Sequence, residues 1–296
     1  MVRPETVDDL CDVLKGPGPF QVRGTGTKTG FLLPSYGDVI DTSGLTGVVE
    51  IEPADQVAVA WAGTRLDDLQ HALAEKGQCL PYPDPARYGV LAAGFPGTLG
   101  GLVALPLPHA NEARVGTIRD WLLGLTVVRA DGTTARCGSH AVKNVAGYDV
   151  QKLIVGSRGT LAVVAQVVLR TYPLKAKPTP TFEVHAAYCG GPVLIQRTLP
   201  SDFGVAVEAS ADRLFAVDPM TSTLWMDPGP DAKPGARFRE DWILVGAGDG
   251  PSPTLELGGT ASADSPHREL VEQHMRRAEH IFDPKHKLNP GAMGVV

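Results

Sequence analysis

The chain has 296 residues, 43% hydrophobic and 20% charged, which is ample for one or two folded domains and too weakly charged for a disordered polyelectrolyte. A net charge of −6 and a sequence pI near 5.7 exclude a general attraction to nucleic acid or anionic membrane. No run reaches about 18 consecutive apolar residues, so no membrane span is expected, and Met1-Val2-Arg3-Pro4-Glu5 opens the chain without an apolar signal core.

Residues 5–15 have helical periodicity, with Val7, Leu10 and Leu14 on one face and Gly16 at the C-terminal cap. Phe20 to Arg23 reads as a short strand running into Arg23-Gly24-Thr25-Gly26-Thr27-Lys28-Thr29-Gly30. Further strands are expected over 39–41, 48–52 and 57–62. A helix follows, with Thr64 as its cap, Asp67 three residues on, Leu66, Leu69 and Leu73 as its buried stripe, and Gly77 at its end. The first 80 or so residues therefore read as a small α/β unit.

Residues 83–120 are rich in Gly and Pro, with the densest glycine cluster at Gly94 to Gly101. Trp121 to Ala130 reads as a strand, Asp131-Gly132 as a two-residue hairpin turn, and Thr133 to Cys137 as the returning strand. Leu161 to Thr171 is a β-branched run suited to a buried strand, and this half reads as mainly antiparallel. Lys175 to Thr181 is a linker by its prolines. Short strands and loops are expected over 182–262, with an exposed loop at Asp227 to Gly235. Ser265-Pro266 starts a last helix, with Val271, Met275, Ala278 and Phe282 on one face.

The four cysteines, Cys11, Cys79, Cys137 and Cys189, include no CxxC pair. No metal or iron–sulfur site is expected in this chain, and the spacing reads as reduced thiols. His267, His274 and His280 share the last helix, but spacings of seven and six do not suit a zinc pair at i, i+4.

Three glycine-rich strings carry the chemistry. The first, Arg23 to Gly30, can present successive N–H groups to a pyrophosphate, because only small residues allow so close an approach. Thr25, Thr27 and Thr29 add hydroxyls; Lys28 either adds charge or points to solvent. Its spacing is neither a Walker loop nor G-x-G-x-x-G. The second string contains Gly97, Gly100 and Gly101. The third is Lys143 to Val164, where Gly147-Tyr148-Asp149 and Gly156-Ser157-Arg158-Gly159-Thr160 bracket an apolar stretch. Taken alone, each string is a weak signal, and an ordinary glycine turn is the plainer reading of the first.

Their fixed order resembles the flavoproteins of the vanillyl-alcohol oxidase/p-cresol methylhydroxylase (PCMH-type) superfamily. The resemblance rests on Arg23 to Gly30, Thr98 to Gly101, Ile118 to Gly124, Lys143 to Asp149, Gly156 to Ala162 and Phe282 to Gly291. The string Lys143 to Val150 is similar to glycolate-oxidase-like and D-lactate-dehydrogenase-like members. The short chain is similar in length to the FAD-binding subunit of glycolate oxidase complexes.

The resemblance implies an α+β fold. Two α/β subdomains, about 1–80 and 81–175, would clasp FAD within a PCMH-type domain over 1–175. A reduced cap would span 182–262, and a C-terminal helix and tail over 263–296 would return to the flavin. Gly24, Thr25, Gly26, Thr27 and Lys28 would wrap the pyrophosphate. Thr98 and Gly101 would lie along the flavin, Gly159 and Val164 at the other end of the cofactor, and Asn289 near the isoalloxazine. The first loop has no His, which implies non-covalent FAD. The family's acidic residue in the second turn is Arg158 here, and Ala162 replaces a glycine. The cap-domain string H-x-G-D-G-N of the larger catalytic relatives is absent; Gly246 to Gly250 lacks its His.

Three functional readings follow. In the first, the chain is an FAD-binding, electron-relaying subunit of a multi-component 2-hydroxy-acid oxidoreductase. It works there with a larger homologous flavoprotein subunit and an iron–sulfur subunit, in the cytoplasm or on a membrane through those partners. In the second, it is a stand-alone flavin oxidoreductase, for which His109, Arg114 and Tyr148 are the catalytic candidates. A solvated His109, an Arg114 paired with Glu112 or Asp120, and a packing Tyr148 are the plainer alternatives. In the third, it is a flavin-free paralogue stabilising a partner, for which intact glycine motifs have no use.

Overall fold

The computed structural model describes residues 1–27, 36–81, 97–106, 116–140, 148–176 and 266–290. From 183 to 245 it describes 183–184, 193–197, 203–209, 211–212, 214–218, 223–226 and 242–245. The fold is mixed α+β.

Helix α1 (Val7–Lys15) opens with a reciprocal capping box between Thr6 and Asp9, and buries Leu10 and Leu14. Its C-cap is Gly16, as expected, but in extended rather than left-handed conformation. Strands β1 (Phe20–Arg23) and β2 (Asp38–Asp41) pair in parallel.

The main sheet has the order β3-β4-β8-β6-β7, built from β3 (Val48–Glu52), β4 (Val57–Trp61), β6 (Leu122–Val128), β7 (Thr134–Gly138) and β8 (Val163–Arg170). All its pairings are antiparallel. A boundary near residue 80 would cut this sheet, because β4 bonds to β8 along five residue pairs from Val57↔Arg170 to Trp61↔Gln166. The first 80 residues are therefore not a self-contained α/β unit.

Strand β8 is buried on both faces. Val164, Val167 and Leu169 join the larger core, and Val163 and Ala165 join the smaller one around Leu10, Phe20 and Leu288. The change of parity has a cause. The register against β6 steps from Gln166↔Thr126 to Val164↔Val127, so Ala165 is a bulge that turns the strand over. The Ala165 carbonyl accepts the Ala62 N–H at 2.9 Å instead. Trp121, fully buried, anchors the larger core.

Helix α2 (Leu66–Glu75) buries Leu66, Leu69 and Leu73, but Thr64 is not its cap. The Thr64 hydroxyl accepts from the Gly47 N–H at 2.9 Å and donates to the Gly47 carbonyl at 3.0 Å, tying the helix approach to the β3 entry. Two short helices follow, α3 (Leu99–Ala104) and α4 (Ile118–Trp121). The strand expected from Trp121 begins at Leu122, because a Thr117–Asp120 capping box turns the preceding residues into α4. The β6–β7 connection is longer than two residues: Arg129 N–H donates to Thr133 O at 2.9 Å, leaving 130–132 at the tip.

Strands β5 (Gln78–Cys79) and β9 (Tyr172–Pro173) make a small antiparallel pair, and α5 (Val150–Ile154) precedes β8. A separate antiparallel sheet of order β10-β12-β13-β11-β14 lies within 183–245: β10 (Glu183–Val184), β11 (Val193–Arg197), β12 (Leu214–Asp218), β13 (Thr223–Met226) and β14 (Trp242–Val245). Helix α6 (Phe203–Ala209) lies between β11 and β12 in sequence. Helix α7 (Pro266–Phe282) starts at the expected proline, and its Ala278 and Phe282 pack on the larger core. None of the described helices is long and apolar enough to cross a membrane.

Candidate cofactor site

A cleft lies where the end of β1, the start of α3, the turn before β8 and the C-terminal tail meet. Gly24, Thr25, Gly26 and Thr27 line it from the first loop, Thr98 and Gly101 from α3, Gly159 and Val164 from the turn and β8, and Asn289 from the tail. Those are nine of the ten residues the sequence assigned to a cofactor; Lys28 lies outside the described residues.

The loops interlock closely. A Cβ on Gly24 would meet Thr98 Oγ1 at 2.3 Å, so only glycine lets the first loop pass over the start of α3. The N–H groups of Thr25 and Thr27 make no hydrogen bond within the described residues. They remain available to an anion, as expected of a pyrophosphate loop. The start of α3 is different. Leu99 N–H donates to Thr64 O, Gly100 N–H to Ala62 O, and Gly101 N–H to Thr98 Oγ1. Gly101 thus offers the cleft a close surface rather than an open amide donor.

The turn Gly156–Thr160 is held in left-handed backbone at Gly156 (φ 81°), Arg158 (φ 53°) and Gly159 (φ 74°). Asn289 fixes it to β1: its Oδ1 accepts the Val22 N–H at 2.6 Å and its Nδ2 donates to Arg158 O at 2.9 Å. Its side-chain amide therefore bridges two walls of the cleft. The tail itself runs beside β1, with Phe20 N–H donating to Lys287 O at 2.6 Å and Asn289 N–H to Phe20 O at 2.8 Å.

Arg23, from the expected first loop, also lines the cleft, as do Ser157, Arg158 and Thr42, to which sequence reasoning gave no individual role. Among the described residues, Ser157 Oγ is buried with no hydrogen-bond partner. Burial pulls the Arg158 guanidinium below its usual pKa. An orphan hydroxyl, two arginines, open amides and glycine-permitted approach together fit a phosphate-bearing ligand.

Of the catalytic candidates, Tyr148 is 93% exposed and is not part of the cleft lining. His109 and Arg114 lie outside the described residues, as do 143–147 of the third glycine string and the 246–250 look-alike. Among the described residues no group of His, Cys, Asp and Glu could hold a metal ion.

Residues 1–138 match the family model described as "FAD binding domain". The glycolate oxidase subunit GlcE of Escherichia coli (strain K12) is 34% identical over 167 residues, covering 56% of this chain and 46% of that protein. The D-lactate dehydrogenase of Archaeoglobus fulgidus is 32% identical over 195 residues, covering 62% and 42%. The chain thus spans less than half the length of these relatives. Among solved structures, alkyldihydroxyacetonephosphate synthase superposes at a TM-score of 0.48 and 17% identity, over 72% of this chain and 37% of that one. The match over residues 1–138 is to an FAD binding domain, and with these relatives it supports FAD as the cofactor.

Proposed function

We propose that the chain is a non-covalent FAD-binding subunit of a multi-component 2-hydroxy-acid oxidoreductase of the glycolate-oxidising kind, where it holds flavin and relays electrons. Its partners on this reading are a larger homologous flavoprotein subunit and an iron–sulfur subunit, in the cytoplasm or on a membrane through them. Residues 1–175 are the FAD-binding domain, 182–262 a reduced cap, and 263–296 a helix and tail that complete the cleft.

In the cleft, Thr25 and Thr27 would offer amides to the pyrophosphate, with Lys28 beside them in sequence. Gly24, Gly26 and Gly101 would permit close approach, Thr98 would shape the wall, and Gly159 and Val164 would line the opposite end. Asn289 would hold the two walls at the right separation. Bound there, FAD supplies hydride or single-electron transfer.

One observation favours a relay over a self-sufficient enzyme. The described lining contains no Asp, Glu, His, Lys, Cys or Tyr. Oxidising a hydroxy acid needs a base within reach of the hydroxyl proton, and no described lining residue is one. The stand-alone reading, through His109, Arg114 or Tyr148, has no comparable support.

The purified chain should be yellow, absorbing near ~450 nm and releasing FAD on denaturation. Anaerobic glycolate or D-lactate should leave it oxidised, and the two partner subunits should allow its reduction. Bleaching of the isolated chain by either acid would replace this reading with a self-sufficient enzyme. A colourless protein that takes up no added FAD would leave the flavin-free structural role.

A further inference from the structure

We propose that Thr42 is a positioning residue of the cleft: its hydroxyl fixes the carbonyl from which the first glycine loop departs, and so aims the open amides of that loop at a cofactor phosphate. The proposal rests on the cofactor reading and adds to it a residue that makes no phosphate bond of its own.

The loop leaves β1 where the pairing with β2 stops. The last paired residues are Arg23 and Asp41. Past them the Arg23 carbonyl meets a side chain, as Thr42 Oγ1 donates to it at 3.1 Å. An acceptor taken out of water without a donor is costly, so this bond holds the peptide between Arg23 and Gly24 in one orientation. The residues that follow have no slack. A Cβ on Gly24 would strike Thr98, and one on Gly97 would strike the Thr27 hydroxyl. The loop thus lies directly over the start of α3, and a rotated Arg23–Gly24 peptide would carry Thr25 and Thr27 out of that seat.

Thr42 is itself held rigidly. It is 6% exposed and opens a 3-10 turn over Thr42–Gly44. Asp41 Oδ1 accepts the Ser43 N–H at 3.0 Å, Thr42 O accepts the Leu45 N–H at 3.1 Å, and a Cβ on Gly63 would run into that same carbonyl. The segment around Gly63 also seats α3, with Leu99 N–H donating to Thr64 O and Gly100 N–H to Ala62 O. The turn bearing Thr42 therefore ties the first loop to the backbone that carries the facing wall. Thr42 lines the cleft as well, but a hydroxyl has a single proton to donate. Committed to Arg23 O, that proton is not available to a pyrophosphate, which only accepts, so Thr42 acts through the loop.

The test compares Thr42→Val, Thr42→Ala and Thr42→Ser with wild type as full-length apoproteins. Quenching of flavin fluorescence gives the Kd of FAD and of riboflavin, which lacks phosphate, and far-UV circular dichroism checks that each variant is folded. T42V keeps the volume without the hydroxyl and should weaken FAD about 5- to 100-fold, the size of one hydrogen bond together with the acceptor it strands. T42A should do the same, T42S should stay within about threefold of wild type, and riboflavin should bind all four proteins alike. The proposal is overturned if T42V and T42A bind FAD as wild type does, if T42S is as weak as T42V, or if FAD and riboflavin weaken in equal proportion. Failure of both neutral variants to fold would also overturn it, by assigning the hydroxyl to the fold and not to the loop. A wild-type protein that takes up no FAD removes the cofactor reading itself, and this proposal with it.

Discussion

The amide of Asn289 joins segments 267 and 131 positions away, accepting from Val22 N–H and donating to Arg158 O. Removing it leaves both backbone groups without their partner, at about 1–3 kcal/mol each. Asn289→Ala should therefore destabilise the fold by about 2–4 kcal/mol, lowering the Tm by roughly 5–12 °C for a domain of this size, and should release FAD on gel filtration. A variant with unchanged Tm and full flavin would refute the bridging role. Gly159 belongs to the same device. Its φ is 74°, and a Cβ there would lie 2.6 Å from Asn289 Nδ2. Gly159→Ala should thus break the same bond, and its cost should be non-additive with N289A. A double-mutant cycle should give a coupling of at least about 1 kcal/mol; simple additivity would show that the two residues act separately.

Among the elements, the C-terminal tail carries the most weight for its length. Lys287 is almost fully buried, and its ammonium donates to the Ala130 carbonyl at 2.7 Å and to the Leu14 carbonyl, while lying 5.5 Å from the Phe20 ring centroid. It therefore ties the end of α1 and the end of β6 to the tail, next to the segment bearing Asn289. Lys287→Met keeps the apolar stem but strands two carbonyls, and should cost about 2 kcal/mol at neutral pH by chemical denaturation. The pH dependence has a definite sign. Desolvation depresses the Lys287 pKa in the fold, so the unfolded chain binds that proton more tightly. Its contribution to stability must rise with pH from the depressed value up to the ordinary lysine value near ~10.4. The stability gap between wild type and K287M should widen over that alkaline range; a gap that narrows would contradict the desolvated ammonium. Little of this is legible in the sequence. Glycine spacing and hydrophobic period exposed the first loop, the Gly156–Thr160 turn, α1, α2 and β8, because those signals are local. The Thr64 bond to Gly47, the β4–β8 pairing and the Asn289 bridge depend on which distant segments meet, and local propensity carries no record of that.

At the scale of the whole molecule, the cleft is assembled from residues 22–27, 42, 98–105, 157–164 and 289, so its walls extend past the matched segment 1–138. The main sheet explains how such separated pieces meet. β8 sits at its centre, between β4 from the first quarter of the chain and β6 from the middle, and the turn leading into β8 is a cleft wall. Among the described residues, the sheet within 183–245 pairs only with itself. This division makes two opposite expectations. Replacing residues 183–262 by a flexible glycine–serine linker, which adds little entropy cost for its length, should leave FAD affinity within about threefold of wild type, under 1 kcal/mol. Deleting the chain from residue 283 onward should abolish FAD binding, because it removes the Phe20–Leu288 edge, the Lys287 pin and the Asn289 bridge together. Fluorescence titration of both variants checks the pair. Loss of FAD in the linker variant, with its Tm otherwise kept, would mean that the second sheet is part of the flavin site. Its role would then move from a place for partner or substrate contact to a wall of the cofactor cleft.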